Sequence, residues 1–239
     1  MNEIISTSQL RARTIFDNLE TFAVSLTSQA IDLNMTWPFV VFPHFQVQGM
    51  LSNHITGANT ISIHPIVWHN ERTAWENFSI ANQGWIATAH MYDEEVSPKL
   101  YEDVRFNSSF EFPYPRKRWN ESSILPYIAS FNERWQKVED WDAEFYAPFW
   151  QKAPAEDFDS NTNINIGHVR NFERFVRGMM RYDHAVLTRV SEGNYLTVNY
   201  DNRFEYTASG PPHSYIFQPI YDNLFDNRTI VGFLNAFLR

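Results

Sequence analysis

The sequence contains no cysteine in its 239 residues, so no disulfide framework can be read from it. That absence suits a reducing compartment and is equally compatible with any other, since a domain of this size needs no covalent staple. Basic residues are in deficit. Nineteen Lys and Arg stand against 28 Asp and Glu, a net charge of -9, which argues against nucleic acid or an anionic membrane surface as partner. The one basic cluster, Arg116-Lys117-Arg118, is too short to change this. No window reaches the roughly 18 to 20 uninterrupted apolar residues of a membrane span. The start, Met1-Asn2-Glu3-Ile4-Ile5-Ser6, lacks the basic, apolar and small-residue regions of a secretory signal. The expectation is an intracellular protein or a fragment of something longer. Gly-x-Ser-x-Gly, P-loop and dinucleotide fingerprints are missing, as are internal repeats and low-complexity tracts.

What is present is ample core material, 44% hydrophobic residues with 16% aromatic. Residues 4–33 hold neither Gly nor Pro, and Ile15, Leu19, Phe22 and Leu26 recur at helical spacing, which predicts a long helix from about residue 5 to 32. Trp37-Pro38 ends it, because the residue before proline avoids the helical region. A short helix is predicted over Phe45 to Ile55, and Thr60 to Val67 reads as a β-branched buried strand. Asn70 suits the N-cap of a helix through Asn82, and a strand is expected around Trp85 to Ala89. Residues 92–162 carry six prolines and read as loops and short strands, with a helix near Ser130 to Asp140 and a candidate second small subdomain. Phe172, Val176, Met179, Val186 and Val190 trace a helix from His168 to near Gly193. Two apolar strands, His213 to Tyr221 and Thr229 to Leu234, flank a polar turn and predict an antiparallel hairpin.

The fold class expected is α+β, a long N-terminal stalk helix over 1–36 followed by an antiparallel-sheet region over 37–239. Five sequons, at Asn34, Asn77, Asn107, Asn120 and Asn227, fit the glycosylation acceptor pattern and point outward from the cytoplasm.

The closing hairpin, Pro219-Ile220-Tyr221-Asp222 and then Ile230-Val231-Gly232-Phe233, resembles the last two strands of extracellular PAS-like sensor modules of the Cache and CHASE types. Further segments resemble the ectodomains of receptor-type adenylate/guanylate cyclases of diatoms. They are Trp37-Pro38-Phe39-Val40 with Pro43-His44-Phe45, Ile63 to Val67, Trp75 to Ile86, and Ala147-Pro148-Phe149-Trp150-Gln151. The resemblance spans roughly residues 15 to 238, and Trp75 to Ile86 is its most specific part. It implies a sensor between two membrane spans, with a cyclase domain, sometimes joined by a phosphodiesterase, on the cytoplasmic side. No residue here has a counterpart in a cyclase active site, so cyclase activity does not transfer to this chain.

Candidate chemistry is sparse. His64 and His69 stand five apart, a poor spacing for metal on either strand or helix, which favours a buried, hydrogen-bonded His64 and an exposed His69. Asp93-Glu94-Glu95 and the run Glu139 to Glu144 could pair carboxylates for acid-base work, though such runs are usually solvated faces. The group Trp37, Phe39, Trp68, Trp75 and Trp85 reads as core or as a binding cleft. A ligand pocket on one sheet face would use Trp68, Trp85, His64, Tyr215 and Gln218.

The reading is therefore a non-catalytic, extracellular ligand-sensing domain of a membrane receptor. It takes an unknown small-molecule ligand and no cofactor or metal, and dimerises through the N-terminal helix. A soluble glycoside-acting hydrolase and a structural adhesion or dimerisation domain are the alternatives. A sensor between two spans further requires Leu10 and Leu238 at one pole and Trp37-Pro38 at the other.

Overall fold

The computed structural model describes residues 2–95, 125–132, 137–155, 162–168, 172–198 and 204–238. Asn107, Asn120, the Arg116-Lys117-Arg118 cluster and most of the proline-rich middle lie outside the described residues. The fold is α+β: a long helix laid along an antiparallel sheet, with a second, smaller core on the sheet's other face.

Helix α1 (Asn2–Asp32) follows from its uninterrupted helix-compatible stretch. Leu19, Phe22, Ala23, Leu26 and Ala30 are buried along one stripe, and the three large side chains among them stabilise the packing by about 1.5–3 kcal/mol each. The helix stops where Asn34 turns left-handed, at φ 52°. The Asn34 N–H donates to the Ile31 carbonyl at 3.0 Å and that of Met35 to Ala30 at 2.8 Å, the paired bonds of a Schellman cap. Trp37-Pro38 is a cis peptide just beyond. Helix α2 (Phe45–Thr56) ends at Gly57, whose φ of 72° is cheap only for glycine.

Strand β1 (Ala58–Pro65) is followed by β2 (Val67–Trp68) and, after a 3-10 turn over 69–71, by α3 (Arg72–Ala81) and α4 (Gly84–Glu95). The middle supplies β3 (Ala129–Phe131), β4 (Lys137–Glu139), β5 (Phe145–Tyr146) and β6 (Lys152–Ala153). Helix α5 (Glu173–Tyr182) and strands β7 (Val186–Leu187), β8 (Ser191–Val198), β9 (Phe204–Tyr221) and β10 (Ile230–Leu238) complete the chain. The main sheet runs β6-β1-β10-β9-β7, with β8 also on β9, and every pairing in it is antiparallel. The expected closing hairpin is its centre, with Ile216 opposite Ala236 and Leu234 opposite Gln218.

Alternation sorts the sheet's side chains between two cores. Ile61, Ile63, Ile216, Ile220, Leu234 and Ala236 face the core that holds α1 and α2. Phe217 and Phe233 face the other, against Val176 and Met179 of α5. Residues 145–155 return to the main body. Ala153 pairs with Ile61, Trp150 Nε1 donates to the Val40 carbonyl at 2.6 Å, and Gln151 exchanges two bonds with the Phe42 backbone at 2.8 and 3.1 Å.

Three local expectations are corrected. Trp85 to Ala89 is helix α4, not a strand; Ile86 and Ala89 are buried three apart, on one helical face. Near Ser130 to Asp140, the described residues 129–131 and 137–139 form the antiparallel pair β3–β4 where a helix was expected, with Ser130 opposite Val138. The helix expected from His168 to Gly193 spans only α5. It ends where Asp183 adopts φ 56° and donates its N–H to the Met179 carbonyl, and Val186 passes into strand β7.

The two ends of the fold are fixed by named contacts. Thr27 Oγ1 donates to the Tyr221 carbonyl at 2.9 Å, and Tyr221 pairs with Ile230. Arg11 reaches the Thr56 carbonyl at 3.4 Å, two residues before Ala58, which pairs with Leu238. Sixteen helical residues from Arg11 to Thr27 cover about 24 Å and eight extended residues from Ile230 to Leu238 about 27 Å, so α1 and β10 run alongside in opposite directions. The start of α1 and the end of β10 therefore share one pole. The Trp37 ring packs over Gly232 near the other.

Candidate functional site

The face of the sheet turned away from α1 carries a small polar island in an apolar core. His64 is 0% exposed, with its ring stacked on Phe233 at 4.9 Å and edge-on to Phe149 at 4.4 Å. Ser62 Oγ and His64 Nε2 are 2.9 Å apart, as expected for residues i and i+2 on one strand face. Asn235 stands opposite Ser62. His64 Nδ1 and Asn235 Oδ1 are both buried without a partner at full hydrogen-bond geometry. Burial pushes His64 from its ordinary 6.5 down to about 3, the backbone of Ala147 raising it only in part. This histidine is a neutral core group at physiological pH.

The five expected pocket residues are not brought together. Tyr215 shares the His64 face and packs edge-on against Phe172 at 4.7 Å. Gln218 is buried on the opposite face with Ile216 and Ile220, under α1, because one residue's shift along a strand reverses the side. Trp68 is 44% exposed and borders an open groove of about 290 Å³ with Arg177, Met180 and Arg181. Trp85, on α4, packs edge-on against Trp150 at 5.4 Å and borders a different concavity. His69 is exposed, its Nδ1 lying 3.1 Å from both the Ala143 carbonyl and the Tyr146 hydroxyl, and it does not approach His64.

That other concavity is a cleft of about 240 Å³ between the start of α2 and α4. Phe42, Phe45, Trp85 and Tyr92 give it an aromatic wall, and Lys152 stands at its edge. His44, in the left-handed region at φ 57°, precedes α2 and provides no side-chain cap to the helix start. Its ring meets Tyr92 edge-on at 6.5 Å. Of the residues that form this cleft, sequence reasoning found only Trp85. The aromatic run Trp37 to Phe45 is a visible signal, but nothing local says that α4 folds over it.

Two members of the acidic run, Glu139 and Asp140, are structural, while Asp142 and Glu144 are exposed. Arg72, 2% exposed, donates through Nε to Glu76 at 2.8 Å, through Nη2 to Glu139 at 3.1 Å, and through Nη1 to the Asp140 carbonyl, while its guanidinium stacks on Trp141 at 3.7 Å. The Asp140 carboxylate accepts from Asn165 Nδ2 at 2.9 Å. Asn163 takes the indole N–H of Trp75 at 3.1 Å and donates to Ser79 and to the Leu125 carbonyl. These groups are consumed in tying α3 to β4 and to residues 162–166, so none forms a carboxylate pair facing solvent across a cleft. Among the described residues, no three His, Asp or Glu side chains gather as a metal site, and no helix is long and apolar enough to cross a membrane.

No protein-family model matches the chain, and no curated protein matches it. Its function has to be argued from its own geometry.

Proposed function

We propose that this chain is the ligand-sensing, extracellular part of a membrane receptor, of the receptor-type nucleotide cyclase kind that its sequence resembles. The observation that carries the reading is the shared pole of the start of α1 and the end of β10, where Arg11 meets Thr56 beside the Ala58–Leu238 pair. A sensor flanked by two spans needs both of its ends directed toward one membrane. The long helix laid along the sheet offers a lever between the ligand-bearing body and that pole.

Two further features support it. The sequons at Asn34, Asn77 and Asn227 are all exposed, as glycan attachment requires. Leu10, Val24 and Ile31 lie on the outer side of α1, 67%, 45% and 50% exposed, at multiples of seven residues, and make a seam through which two copies would pair. In this reading the chain catalyses nothing itself and passes a ligand-dependent shift between two arrangements across the membrane. The test is the complete transcript. An apolar stretch of about 20 residues on each side of this segment is expected, and a full reading frame with neither would end the receptor proposal.

A further inference from the structure

The open groove bordered by β2, β5 and α5 offers an accessible ring and accessible charge over a fixed apolar floor. Trp68 keeps 44% of its surface exposed although its strand neighbour Val67 is fully buried. Its ring stands edge-on to Phe145 at 6.0 Å. Phe145, paired with Trp68 across β2–β5 and only 6% exposed, forms the floor, and Met180 completes the apolar part.

Charge reaches the groove from α5. Arg174, Arg177 and Arg181 recur at i, i+3 and i+7, one stripe of the helix, and all three are exposed. Glu173 is the only acid among the ten residues of α5, in a chain whose net charge is -9. Arg177 and Arg181 line the groove. Arg177 uses Nε on Glu173 at 3.0 Å, which holds its fork in place, while its Nη1 comes only within 4.0 Å of Glu144. Arg181 pairs with no carboxylate among the described residues, and its guanidinium rests over the Tyr182 ring at 5.5 Å. The dipole of α5 favours a cation at this last-turn position and leaves the guanidinium donors themselves open.

We propose that this groove binds a uronic acid, a pyranose ring that carries a carboxylate, with the ring against Trp68 and the carboxylate on Arg181. A volume of about 290 Å³ lies near the about 300 Å³ at which sites for drug-sized molecules begin, which is room for a sugar ring. Because the groove is open, an aromatic acid seated there would keep much of its apolar surface in water. A sugar instead turns one C–H face to the indole and leaves its outer hydroxyls hydrated. The planar guanidinium fork matches a carboxylate through two parallel bonds, and the exposed Glu144 carboxylate is an acceptor for ring hydroxyls. Recognition at this groove stands whether or not the chain signals.

The experiment follows the indole N–H signals of the nitrogen-15-labelled whole chain, with Trp68→Phe identifying the Trp68 signal. The titrants are galacturonate, its trimer, neutral galactose and inorganic phosphate. Galacturonate should shift the Trp68 signal saturably, at about tenfold or greater preference over galactose, the worth of one charge-assisted contact. Arg181→Met should lower galacturonate to the affinity of galactose, and Arg181→Lys, which keeps the charge and loses the fork, should fall between. Arg174→Met, on the same stripe but outside the groove lining, should change nothing, which separates the groove from the general basic character of α5. Unchanged melting temperatures confirm that these surface variants fold. A trimer that binds tighter than the monosaccharide identifies an acidic polysaccharide as the source of the ring, and equal affinities identify the free sugar acid. A Trp68 signal that stays in place up to about 50 mM galacturonate, equal affinity for galactose, or phosphate competing as well as galacturonate overturns the site and leaves the sensor reading where it was.

Discussion

Lowering the pH should cost this protein stability through one residue, His64. Its imidazole is 0% exposed between Phe149 and Phe233, which offer it no charge, and its pKa is pushed from 6.5 to about 3. The direction follows from proton counting. Between those two values the unfolded chain binds a proton at this site and the native one does not, so stability rises with pH across the window. The contribution is fully present above 6.5 and is lost as pH falls toward 3. At pH 5 the loss is about 2 kcal/mol, growing to about 5 kcal/mol when the window has been crossed, at 1.36 kcal/mol per unit. Urea unfolding at pH 7, 6 and 5 measures it, with His64→Leu as the reference. The variant loses the Ser62 contact, but the quantity read is the difference in slope between the two proteins. All other titrating groups are common to both. The wild type should lose about 2 kcal/mol more than the variant between pH 7 and 5; parallel profiles would refute the neutral, desolvated state assigned to His64.

Two further substitutions probe the joints that hold the site. A Cβ added at Gly49 of α2 would lie 2.5 Å from the Ala153 Cβ on β6, so Gly49→Ala should destabilise by about 1–3 kcal/mol in urea, with recovery in the Gly49→Ala/Ala153→Gly double variant. A neutral Gly49→Ala would mean that α2 and β6 are not in the close contact described. Arg72→Met should cost about 3 kcal/mol, because it strands Glu76 and the Asp140 carbonyl inside the network that joins α3 to β4, and equal unfolding midpoints for variant and wild type would show that the network contributes nothing net.

Where the residues state their own geometry, the sequence was sufficient. The long helix, its end near Trp37-Pro38, the second short helix, the β-branched strand at Ile61 to Ile63 and the closing hairpin all follow from local periodicity and turn chemistry, and each is present. The α+β class follows from them. Sequence patterning failed where a segment satisfies two periodicities or where a non-glycine residue takes a left-handed turn. Trp85-Ile86-Ala87-Thr88-Ala89 alternates well enough for a strand, and only packing of Ile86 and Ala89 against the main body selects the helix. Asp183 ends α5 about ten residues before the glycine at which the pattern suggested a stop. The site was beyond local patterning for a different reason. His64 and Tyr215 share a face while Gln218 lies under α1, a matter of strand register, and the cleft joins residues near positions 42–46, 85–92 and 151–152 that no local pattern connects. Sequence alone determined which segments are helices and strands wherever one periodicity dominates, because backbone sterics and the burial of an apolar stripe act over a few turns. Tertiary structure alone decided which side chains meet, because pairing register and the close approach of α2 and α4 depend on contacts between residues tens of positions apart.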